Sequence, residues 1–64
     1  MTPVILRLPA VIDRVGLSRA SIYAKASEGE FPKPIHLGPH SVGWLESEVS
    51  DWIEARIAQS RQGK

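Results

Sequence analysis

The chain has 64 residues, no cysteine, eight Lys and Arg against seven Asp and Glu, and a net charge of +1. A chain this short admits one domain with a small core, burying about 60% of its unfolded surface, so its stability should be modest. Without cysteine there is neither a disulfide nor a thiolate metal site, and no apolar run approaches the ~18 residues of a membrane span.

Residues 8–15 are predicted as the first helix. Leu8, Val11, Ile12 and Val15 recur at helical spacing as one apolar stripe, and Pro9 sits in the first turn, where its missing N–H costs nothing. Gly16-Leu17 is the turn: Gly16 supplies a left-handed position and Leu17 an apolar plug under the corner. Ser18 has the short hydroxyl that caps a new helix, predicted over Ser18 to Glu28 and closed by Gly29. Phe31-Pro32-Lys33-Pro34 cannot be helical with two prolines around Lys33, and reads as an extended lead-in with Phe31 covering the core edge.

Ile35-His36-Leu37 and Ser41-Val42-Gly43-Trp44 alternate apolar and polar residues around a Gly38-Pro39-His40 turn. They predict a two-stranded hairpin, a wing, which must pack on the helices through Trp44 because an isolated hairpin is marginal. Ser47 is expected to cap a third helix with Val49, Trp52, Ile53 and Ile57 inward and Glu48, Asp51 and Glu54 outward. Residues 59–64 read as a frayed polar tail. The expected core is Leu6, Leu8, Val11, Ile12, Val15, Leu17, Ile22, Trp44, Val49, Trp52, Ile53 and Ile57. The fold class is therefore mainly α: a three-helix winged helix-turn-helix with a two-stranded β-hairpin wing. One domain spans 1–64, with its core over 5–58. No charged-then-apolar leader is visible, so the expected location is the cytoplasm.

The candidate site follows from the second helix. Arg19, Ala20 and Ser21 form a polar, small-residue tip, followed by an inward Ile22. A helix with such a tip can lay its N-terminal end against base edges in a major groove. Arg19 can read a guanine through two hydrogen bonds, or be a solvated first-turn arginine. Ala20 can meet a thymine methyl, or serve helix propensity alone. Ser21 can reach a phosphate or base, or support the cap. Tyr23 can bond a phosphate through its hydroxyl, or be a half-buried core aromatic. Lys25 and Lys33 are candidate phosphate neighbours, and His40 with Ser41 a candidate contact at the wing tip.

Charge distribution supports the same face. Up to residue 45, Arg7, Arg14, Arg19, Lys25 and Lys33 stand against Asp13, Glu28 and Glu30. Beyond it, Glu46, Glu48, Asp51 and Glu54 outnumber Arg56, Arg61 and Lys64, so the third helix should face away from phosphate. Those carboxylates have no partner nucleophile, base or cleft in view and read as a solvated face. His36 and His40 are four apart across a turn, too little for a metal site. No enzymatic step and no cofactor are expected.

The words Leu6-Arg7-Leu8-Pro9, Gly16-Leu17-Ser18-Arg19, Ser21-Ile22-Tyr23, Glu28-Gly29, Phe31-Pro32-Lys33-Pro34, Leu37-Gly38, Val42-Gly43-Trp44-Leu45-Glu46-Ser47-Glu48-Val49 and Trp52-Ile53 occur in one order. That set resembles the AlpA-type phage regulators and excisionases, small winged-helix DNA-binding proteins related to the MerR-like group, over about residues 5–58. The resemblance implies that the second helix, residues 19–25 including Ala24, enters the major groove. It implies that residues 33–41 touch flanking backbone or minor groove. It also implies a role in transcription of an integrase gene or in prophage excision. Ala24, Glu30 and His40 stand where such proteins often carry basic or, at position 30, neutral residues, which implies lower DNA affinity. The expected partners are double-stranded DNA, further copies of the chain on adjacent sites, and a phage integrase; no membrane is expected. A different class of reading is a protein-interaction module that kept the fold and lost DNA affinity.

Overall fold

The computed structural model describes residues 3–62. The elements in order are β1 (Ile5–Leu6), α1 (Leu8–Val15), α2 (Arg19–Ser27), β2 (Ile35–Gly38), β3 (Ser41–Leu45) and α3 (Glu46–Gln62). Helix α1 has Pro9 in its first turn and ends at Gly16, whose φ of 71° is left-handed. The Gly16 N–H closes the helix on the Ile12 carbonyl at 2.8 Å. Any other residue there would carry a penalty of about 1–2 kcal/mol.

Helix α2 opens on Ser18, whose hydroxyl accepts the Ser21 backbone N–H at 3.2 Å. It ends in a Schellman motif: the Glu30 N–H donates to the Lys25 carbonyl at 2.8 Å and the Gly29 N–H to Ala26 at 3.2 Å. The positions that often make an apolar contact across this motif instead hold an ion pair, Lys25 to Glu30 at 3.8 Å. The predicted span Ser18 to Glu28 is thus nine helical residues between two capping positions.

The sheet has three antiparallel strands in the order β1-β3-β2, where two were expected. Ile5 lies opposite Leu45 and Leu6 opposite Trp44; Ile35 lies opposite Gly43 and His36 opposite Val42. The register shifts between His36 and Gly38, and Gly38 pairs with Ser41. β3 is central, and Gly43 is where its neighbours close over it. A Cβ there would overlap Ile5 Cγ2, with the Leu6 carbonyl at 3.1 Å and Leu37 Cδ1 at 3.2 Å.

Strand β3 runs straight into α3, so Ser47 lies within the helix and is not its cap. The orphan N–H of Glu46 finds its acceptor across the fold, the Val4 carbonyl at 2.8 Å. At the other end the helix continues to Gln62, so residues 59–62 are helical and not frayed; 63 and 64 lie outside the described residues.

Helices α1 and α3 pack on β3, and α1 packs on α2. The buried core is Leu6, Val11, Ile22, Ala26, Phe31, Trp44 and Val49. Leu8, Ile12, Val15, Leu17, Trp52 and Ile53 are partly buried against it, as expected core positions. Phe31 is wholly inside and not merely at the edge. Ile57 is corrected to a surface position, 44% exposed, because α3 runs past the end of the core. Ile35 and Leu37 are also exposed, since no element covers the outer face of β2. No helix among the described residues is long and apolar enough to cross a membrane.

Candidate nucleic-acid interface

Helix α2 carries four parallel stripes, one inward and three outward. At 3.6 residues per turn, Ile22 and Ala26 point inward, and both are buried. The opposite centre is small: Ala20 and Ala24, both exposed. One flank carries Arg19, Tyr23 and Ser27 at i, i+4 and i+8. The other carries Ser21 and Lys25. Such a surface lets a partner approach the helix backbone closely while polar groups stand on both sides.

Each flank has its own support. The Arg19 guanidinium lies 5.9 Å from the Tyr23 ring centroid. The Tyr23 ring meets buried Trp44 edge-on, 5.9 Å between centroids at 62°. The Trp44 indole N–H donates to the Pro32 carbonyl at 2.9 Å. One buried side chain therefore fixes both α2 and the lead-in that carries Lys33. On the other flank, the Ser18 hydroxyl donates to Ser21 Oγ at 3.1 Å, which leaves the Ser21 proton free to donate outward. Lys25 faces Glu30, and the Glu30 carbonyl accepts the Trp52 indole N–H at 2.6 Å. Lys25 thus sits at the joint between α2 and α3.

Lys33 is exposed between half-buried Pro32 and Pro34. His40 is exposed in the hairpin turn and Ser41 opens β3, half-buried. A groove of about 330 Å³ lies between α2 and the start of β2, lined by Tyr23, Ala26, Ser27, Lys33, Pro34 and His36. The structure therefore brings Tyr23 and Lys33 together and adds two residues that sequence reasoning missed, Ser27 and His36. The helical spacing from Tyr23 to Ser27 was the signal for the first. Nothing local marked the second, because its place depends on the packing of β2.

The five basic residues of the first part are not equivalent. Arg14 pairs with Glu46 at 3.0 Å, and Lys25 with Glu30. Arg7 donates through Nε to the Val42 carbonyl at 3.1 Å, which ties it to the central strand. Arg7, Arg19 and Lys33 have no carboxylate partner among the described residues. No group of three His, Asp or Glu that could hold a metal occurs among those residues either.

Residues 4–57 match the family described as "Prophage CP4-57 regulatory protein (AlpA)". The chain is 47% identical over 58 residues to "Uncharacterized protein ORF88" of Enterobacteria phage P4, a match covering 91% of this chain and 66% of that protein. It is 45% identical over 58 residues to "DNA-binding transcriptional activator AlpA" of Escherichia coli (strain K12), covering 81% of this chain and 83% of that protein. The family is one of regulatory proteins and not of enzymes. With its helices, its sheet and its α2 surface all inside the matched stretch, the chain belongs to the AlpA family of prophage regulatory proteins.

Proposed function

We propose that the chain is a sequence-specific DNA-binding regulator of phage or prophage type, acting in the cytoplasm on transcription of an integrase gene, as an excisionase, or as both. The observation that carries this reading is the α2 surface: exposed Ala20 and Ala24 between the Arg19–Tyr23 and Ser21–Lys25 flanks. That shape suits a major groove, where Arg19 reads a guanine edge and Ala20 and Ala24 admit close approach. The hairpin acts as the wing, with Lys33, His40 and Ser41 beside the flanking backbone. Tyr23 supplies a phenol to the phosphates between helix and wing. Lys25 contributes least, since its charge already faces Glu30. The name of the Escherichia coli relative, a DNA-binding transcriptional activator, supports the transcriptional role.

With two of the five basic residues up to residue 45 paired, one copy should bind weakly, and adjacent copies on one duplex should reinforce each other. An integrase is the protein partner that the excisionase role requires. Selection from a pool of randomised duplexes tests the reading. The wild-type protein should enrich a short motif, and Arg19→Ala should relax it at one position. A pool that never enriches would sink the proposal. Integrase transcript and excised element, measured separately in one host, divide the two roles.

A second reading, an interaction module without DNA affinity, is favoured by one observation. Val4, Ile5, Ile35 and Leu37 are exposed apolar residues, and the last three share the sheet face over Gly43. The same selection separates it from the first reading.

A further inference from the structure

We infer that the groove between α2 and β2 is a seat for one DNA backbone phosphate, with His36 and Ser27 as binding residues beside Tyr23 and Lys33. This rests on the DNA-binding reading and adds a defined contact to it. All four side chains line one concavity of about 330 Å³, and no carboxylate lines it. Its donors come from three sources: Tyr23 and Ser27 one helical turn apart on α2, Lys33 on the lead-in, and His36 on β2. The Tyr23 hydroxyl has no protein partner among the described residues, while its ring is held by Trp44. Lys33 is held in place by flanking prolines, and Trp44 bonds the carbonyl of Pro32 next to it. The seat is thus built by the same buried indole that positions the groove-reading helix. A phosphate lodged there fixes the depth and tilt of α2 without reading sequence.

His36 is the donor that β2 contributes: its imidazole carries an N–H from which a phosphate oxygen can accept. Lys33 and the neutral phenol of Tyr23 line the same groove, and α2 adds Arg19 over the Tyr23 ring. β3 presents uncharged Val42 at the paired position, and Arg7 reaches the Val42 carbonyl. No carboxylate lines the groove, so the monoanionic oxygens of a backbone phosphodiester are free to accept from the imidazole N–H.

Binding is read by fluorescence anisotropy on a labelled duplex of about 25 base pairs of arbitrary sequence, since a phosphate contact is sequence-independent. At constant pH, His36→Ala should weaken binding of that duplex about fivefold, and by the same factor on a duplex of unrelated sequence. Lys33→Ala should weaken it too and flatten the dependence of log K on log salt by about 0.9, since Lys33 brings the permanent charge to the seat. In the Tyr23→Phe, His36→Ala double variant the two losses should fall short of additive, because both donors serve one phosphate. Ser27→Ala and Tyr23→Phe should weaken binding equally on every sequence. A His36→Ala protein that binds as the wild type does, or losses that simply add in the double variant, overturns the inference and leaves the DNA-binding reading standing. Absence of DNA binding at every pH and salt overturns both.

Discussion

Replacing Trp44 by alanine should leave little folded protein, whereas the same change at Trp52 should give a folded, weaker one. Trp44 is 0% exposed and sits among Val11, Ile22 and Val49, which are also fully buried. Truncating a buried tryptophan costs about 3–5 kcal/mol in transfer and cavity terms. The Pro32 carbonyl loses its indole donor, adding about 1 kcal/mol, and the edge-on contact with Tyr23 adds about 0.5–1.5 kcal/mol. At about 0.05–0.15 kcal/mol per residue, a chain of 64 residues has about 3–10 kcal/mol to lose. Trp52 is only partly buried. It keeps an edge-on contact with Phe31 at 4.9 Å, a bond to the Glu30 carbonyl and the Arg56 guanidinium over its ring at 5.1 Å. Its loss should cost about 2–3 kcal/mol, below the range for a fully buried ring. Trp44→Phe, which keeps a ring and loses the bond to Pro32, should cost about 1–2 kcal/mol. Urea unfolding followed by far-ultraviolet circular dichroism measures all three. Equal midpoints for Trp44→Ala and Trp52→Ala, or a Trp44→Ala protein that unfolds normally, would refute the reasoning.

Gly43→Ala should destabilise by about 1–3 kcal/mol, because Ile5 and the Leu6 carbonyl occupy the space a methyl needs; adding Ile5→Ala should restore part of it in the same urea assay. Ser18→Ala should cost about 1 kcal/mol through loss of the Ser21 cap, read as a lower melting temperature. Arg19→Ala should cost about 1–3 kcal/mol on the selected site and far less on scrambled DNA; equal losses on both would make Arg19 a phosphate contact. His40→Arg should tighten binding and displace about one more counterion, read as a steeper salt dependence.

Helices α1 and α2 were legible because their signals are local. The stripe from Leu8 to Val15, the Ser18 hydroxyl and the glycines at 16 and 29 act within a turn of where they stand. The hairpin was legible from its proline boundary and turn residues. What escaped depends on partners distant in sequence. β1 is two residues long and exists through its pairing with Trp44 and Leu45. The start of α3 needs no local cap because Val4 supplies the acceptor for Glu46. Its end ran further than the apolar stripe, since Ala58, Gln59, Arg61 and Gln62 are good helix formers without a core to face. The same division holds at the candidate site. The α2 residues could be placed from helical period alone. The pairing of Arg14 with Glu46, the anchoring of the Arg19–Tyr23 flank on Trp44, and the meeting of Ser27 with His36 all needed the assembled fold.

A salt titration of duplex binding by the wild-type protein tests the central claim, that the α2 and hairpin surface binds DNA, most directly. Arg7, Arg19 and Lys33 are the first-part cations without a carboxylate partner among the described residues, so log K should fall linearly with log salt at a slope no steeper than about −3. Lys33→Ala should flatten that slope by about one. A protein that shows no binding at low salt, or binding that salt does not weaken, would contradict the account.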